Sequence, residues 1–149
     1  MNTVKEKLDR LSRLLSNRNA GYLAEVDACL ADIIALNAPN EIEELLPVLD
    51  DSGDDEAMFM IVHVLERWDD RTYCKALLTV VERLWKSAPR WTQILHIRVM
   101  NSSCTRDEYL RSMESFPMST KQAAQDIFTS IGTNWPKLSG KVEEMVARM

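Results

Sequence analysis

Histidine and cysteine are the side chains best suited to hold a metal or move a proton near neutral pH, and this 149-residue chain has two histidines and three cysteines. His63 and His96 stand in "IVHV" and "ILHI", each after two aliphatic residues and before a third. A zinc site needs four nitrogen or sulfur donors around one point. Cys29, Cys74 and Cys104 are widely spaced, form no CxxC pair, and read as reduced thiols, two of them packing as small hydrophobes. The stretch "HVLER" at 63–67 lacks the second ligand of an HExxH helix, and there is no nucleophile elbow, P-loop or glycine-rich phosphate cradle. The residues therefore nominate no catalytic group, no metal and no cofactor, and predict a protein that is not an enzyme. The competing reading is an enzyme that uses His63 or His96 with neighbouring acids. A lone histidine among aliphatics is expected in or near a helical core, donating to a carbonyl or carboxylate. For His63 the acid on the same face is Glu66, three residues on.

Carboxylates are the other group dense enough to do chemistry. Residues 41–70 hold eleven acids against one base, Arg67, a local charge of −10 in a chain whose net charge is −5. The densest part, "DDSGDDE" at 50–56, suggests a calcium loop. With Gly53 at the sixth position of such a loop, however, Val48 falls first and Phe59 twelfth, where carboxylates are required. Helix starts account for Asp54, Asp55 and Glu56, because a helix dipole favours acid in the first turn. The remaining charge repels nucleic acid and anionic lipid and steers toward a basic protein. The alternative is a solvated turn that keeps the chain soluble. The expected partner-binding residues are Asp50, Asp51, Asp54, Asp55, Glu56, Asp69, Asp70, Glu41 and Glu44. The two clusters, 50–56 and 69–70, should lie at opposite ends of a helix of about 15 residues, roughly 22 Å long.

The elements that must position these groups read as all-α. Apolar residues recur at helical spacing, as in Val4, Leu8, Leu11, Leu15 and again in Tyr73, Leu77, Val80, Leu84. Thr3 with Glu6, Thr105 with Glu108 and Ser119 with Gln122 match the capping-box pattern. Polar and proline breaks divide the chain into about nine helices in one domain, 1–149, with Pro47 kinking its helix or starting the last turn. "LLPVL" at 45–49 falls on "LLTVV" at 77–81, and "IVHV" falls on "ILHI", with offsets of 32 and 33 residues. Antiparallel helical pairs in a short HEAT-like α-solenoid explain that repeat, and an irregular bundle is the alternative. The stripe predicts a core on Ile61, Leu65, Leu77, Val80, Trp85, Trp91, Ile94 and Leu95. The N-terminal stretch "MNTVKEKLDRLSRLL" has no apolar block and the longest apolar run is Ala57 to Val62, so no membrane association and a cytoplasmic location are expected.

Over residues 42–113 the order and spacing of several blocks resembles the immunity protein 30 family of bacterial polymorphic-toxin systems. The blocks are a leucine-rich stretch running into an acidic turn, "HVLERWDD", "SAPRW" with Trp91, and "ILHIRVMNS" followed by Tyr109. Trp68 stands where a phenylalanine is expected. The resemblance implies an α-helical antidote that binds a cognate toxin domain in the cytoplasm of the toxin-producing bacterium. An acidic antidote fits a basic nuclease, with RNA the expected substrate of the toxin and no direct contact between antidote and nucleic acid. Self-association into a homo-oligomer stays open. The alternative function is a helical-repeat adaptor for an endogenous protein.

Overall fold

The computed structural model describes residues 3–38 and 40–149, and among them every regular element is helical. In chain order these are α1 (Thr3–Ser16), α2 (Tyr22–Leu36), α3 (Glu41–Leu45), a 3-10 turn at Leu46–Val48, α4 (Asp55–Leu65), α5 (Asp70–Ser87), α6 (Pro89–Met100), α7 (Ser103–Met113), α8 (Met118–Asn134), a 3-10 turn at Pro136–Leu138, and α9 (Ser139–Ala147). No helix among the described residues is long and apolar enough to cross a membrane.

Local chemistry sets several of these boundaries. Asp54 caps α4 by accepting from the Ala57 amide at 3.3 Å, and Asp69 caps α5 by accepting from the Thr72 amide at 3.0 Å. Helix α2 is bounded by left-handed residues, Gly21 at φ 78° and Asn37 at φ 46°. Pro47 sits in the 3-10 turn that closes α3, where its missing amide disrupts no α-helical ladder.

Two of the expected capping boxes fall elsewhere. Helix α7 begins at Ser103, so Thr105 lies inside the first turn, and its hydroxyl donates to Asp70 at 2.8 Å. Helix α8 begins at Met118 after Pro117, which leaves Ser119 inside the helix. Helix α1 begins at Thr3, which is its first helical residue rather than the residue before it.

Helix α5 is the centre of the packing. It touches α3, the first 3-10 turn, α6, α7 and α8, while α1 pairs with α2 and α8 with α9. Leu77, Leu78, Val81 and Leu84 on α5 are buried together with Ile61 and Leu65 on α4 and Trp91 and Leu95 on α6. Each such side chain contributes roughly 1.5–3 kcal/mol by leaving water. Val80 is also buried, but Trp85 and Ile94 are only half-buried and pack against the core from outside. Cys29 and Cys74 are buried and Cys104 is exposed; burial pushes the Cys74 thiol up to about 12.

Two ion pairs fix the relation between the repeated segments. Asp55 and Arg90 join the N-terminal ends of α4 and α6, and Glu66 and Arg98 join their C-terminal ends, so the two helices run parallel. The Asp70–Thr105 bond joins the starts of α5 and α7. The relation changes at α8, whose C-terminal Asn134 donates to Gln93 near the start of α6 at 2.9 Å.

Candidate functional site

The two histidines occupy opposite environments. His96 is fully buried, with Nδ1 2.7 Å from the Thr92 carbonyl and Nε2 2.8 Å from the Tyr109 hydroxyl. A carbonyl can only accept, so Nδ1 carries the proton and Nε2 accepts from Tyr109. Burial drives the imidazole pKa down to about 4, which keeps the ring neutral. Tyr109 and Phe128 meet its ring edge-on at 5.4 and 5.3 Å. This side chain ties α6 to α7 and α8 and has no access to substrate.

His63 does not follow the expectation of a core or near-core residue. It is exposed, because the buried positions of α4, among them Met58, Ile61, Val62 and Leu65, define a face that lies across the helix from it. Glu66 gives both carboxylate oxygens to Arg98, each at 2.7 Å, instead of pairing with His63.

The acidic residues are not alike either. Asp50 accepts from the Ser52 amide at 3.0 Å and hydroxyl at 2.9 Å, folding the turn on itself. Asp51 reaches the next repeated segment, where its two oxygens accept from the Arg90 and Trp91 amides at 2.9 and 3.1 Å. Those amides begin α6, whose own cap position is Ala88 and supplies no side-chain bond. A residue from a distant loop thus does the capping. Asp54 accepts from the Tyr22 hydroxyl as well as from the Ala57 amide. The phenol bond is the main cause of a carboxyl held below the usual range, and it raises the phenol in turn. Asp55 makes a two-pronged bond with Arg90, both arms 2.9 Å, and the guanidinium lowers its carboxyl. Thr72 does the same for Asp69 through its hydroxyl at 2.7 Å and its amide. Glu41 is 2% exposed and accepts from the Ala38 amide at 2.9 Å, and burial raises its carboxyl. It offers no surface to a partner. Asp50, Asp55, Glu44, Glu56 and Asp69 are exposed; Asp51, Asp54 and Asp70 are half-buried.

The clusters flank a helix of 11 residues, so the span of α4 is about 16 Å rather than 22 Å. The difference arises because residues 66–69 leave the helix and form the turn that ends at Asp69, the cap of α5. Among the described residues no group of three or more histidine, cysteine or acidic side chains is arranged to hold a metal ion.

Arg90 and Arg98 were not among the sequence candidates, yet they fix both ends of α4. They bracket "RWTQILHIR" as Asp55 and Glu66 bracket the preceding repeat, at separations of 35 and 32 residues that are close to the repeat offset. Opposite charges at matching repeat positions are the signal that would have found them.

The family model for immunity protein 30 matches residues 11–109, about two thirds of the chain. The chain belongs to the immunity protein 30 family. The match begins in α1, well before the blocks that carried the resemblance, and ends at Tyr109 in α7, so α8 and α9 lie beyond it. No curated protein and no solved structure matches this immunity protein. Membership implies that its partner is a toxin protein, whose neutralisation is its task.

Proposed function

We propose that this immunity protein neutralises a basic nuclease toxin, one acting on RNA, by presenting the acidic turns that flank α4, with the first turn of that helix, to the toxin's substrate groove. The observation that carries the reading is the excess of acid in residues 41–70, which persists after Arg90 and Arg98 have paired with Asp55 and Glu66. A groove that holds phosphates must be cationic, and a protein with carboxylates clustered at both ends of one helix competes for it without any chemistry of its own. The bonds at Asp50, Asp51, Asp54 and Asp69 support this by holding the turns in one shape before the partner arrives. Asp55, Glu56, Asp70 and Glu44 complete the proposed surface. Binding takes place in the cytoplasm and involves no nucleic acid bound to the antidote itself.

The test separates the exposed acids from those with a structural task. Replacing Glu44 and Glu56 by Gln and Asp50 by Asn should slow association with the cognate toxin domain about tenfold at low salt and much less at high salt, where charges are screened. The dissociation rate should change little. Equal association rates and salt slopes for wild type and the triple variant would remove the acidic surface from the interface.

A further inference from the structure

A polar cavity of about 220 Å³ opens where the α4–α5 turn meets the α6–α7 corner. Glu66, Trp68 and Asp70 line it from the turn; Arg98, Val99, Ser102 and Thr105 line it from the corner. Tyr73 on α5 completes the lining. The two sequence blocks "HVLERWDD" and "ILHIRVMNSS" therefore converge on one cavity, although 23 residues lie between them in the chain.

Tyr73 is 4% exposed, and its hydroxyl is buried without a hydrogen-bond partner. Its phenol feels the charges of Glu66 and Arg98, the ion pair that lines the same cavity. Burial pushes the phenol well above its ordinary range, so it stays neutral, with a proton to donate and an oxygen to accept. Buried hydroxyls are nearly always bonded, and one left unpaired in the wall of a cavity marks a place where a small side-chain shift lets another group complete the bond.

The charges around the cavity define that group. Glu66 and Arg98 neutralise each other through two bonds, leaving Asp70 as the uncompensated charge of the lining. Thr105 holds one oxygen of Asp70 at 2.8 Å and so fixes the carboxylate's direction. A guanidinium prefers a two-pronged carboxylate, and Glu66 already gives both oxygens to Arg98. An ammonium has three donors that suit acceptors spread around it, here the Asp70 carboxylate, the Tyr73 oxygen and the Ser102 hydroxyl. The indole of Trp68 and the side chain of Val99 supply apolar wall for a methylene chain.

We propose that this cavity receives one lysine side chain of the toxin domain, with its ammonium between Asp70 and Tyr73 and its methylenes along Trp68. The inference rests on the toxin-binding reading and gives the Asp69–Asp70 end of the acidic surface an anchor.

The test uses the 149-residue chain, its cognate toxin domain, and the Tyr73→Phe variant. Removing an unbonded buried hydroxyl should leave the melting temperature unchanged or slightly raised. Dissociation of the toxin should nevertheless become about five- to tenfold faster, equally at low and high salt. One Lys→Met substitution on the toxin should weaken binding to wild type and lose that effect against Tyr73→Phe. Unchanged dissociation, or a drop in melting temperature with binding intact, would show that the cavity merely holds water. Coupling of Tyr73 to a toxin arginine would overturn the choice of lysine. If the triple acid variant loses its salt-dependent steering while Tyr73→Phe binds normally, the cavity proposal fails and the acidic surface stands. If wild type does not bind that toxin domain, both fall.

Discussion

His63 and His96 sit at equivalent points of a repeated sequence, and one faces water while the other is sealed from it. The difference follows from what covers each helix. Helix α6 is enclosed by α5, α7 and α8, so the side of it that bears His96 is roofed by Tyr109 and Phe128. Helix α4 is packed against α2 and α3, and the side bearing His63 is left open, with Phe59 tilted beside it at 6.3 Å. A repeat in sequence preserves the helix and its direction, but burial at a given position depends on the neighbours that the repeat does not contain.

Acid breaks this comparison most strongly. With a folded pKa of about 4 against an ordinary value of 6.5, His96 takes up a proton in the unfolded chain first as pH falls. Stability from this group is therefore whole above pH 6.5, declines between 6.5 and about 4, and levels off below, a total loss of about 3 kcal/mol. Denaturation of wild type, His96→Gln and His63→Gln from pH 7.5 to 4 checks it. The steep segment should vanish only in the His96 variant.

A smaller effect is expected where the two segments are joined. Asp51→Ala removes the acceptor for the first amides of α6 and should cost about 1–2 kcal/mol. Asp50→Ala, which disturbs only the turn, should cost visibly less. Urea denaturation of the pair decides, and equal midpoints would show that α6 needs no cap from the turn. The smallest effect belongs to His63→Gln, which should stay within about 0.5 kcal/mol of wild type because its side chain is exposed.

These contrasts mark what could be read from the sequence. Helical periodicity and the breaks at Asn37, Gly53, Asp69 and Pro89 predict the elements well, since propensity and capping act over a few residues. The pairing of Asp55 with Arg90, of Asp51 with the start of α6 and of Thr105 with Asp70 depends on segments brought together only by the fold, and hydrophobic period says nothing of it. The same limit applies to the candidate site. The acids were legible as charge, but that Asp51 and Asp54 spend theirs on helix starts, and that Glu41 is buried, required the positions of their amide and phenol partners. Tyr73 was legible only as a member of an apolar stripe, although it lines a cavity and buries an unpaired hydroxyl.

The long-range bond from Asp51 also joins two parts of the molecule mechanically. The turn at 50–54 cannot shift without loosening the first coil of α6, and that helix carries Arg90, Arg98 and the sealed His96. A partner that grips the turn therefore pulls against the interior through a two-point hinge, and the load is shared by two helical units rather than borne by a loop.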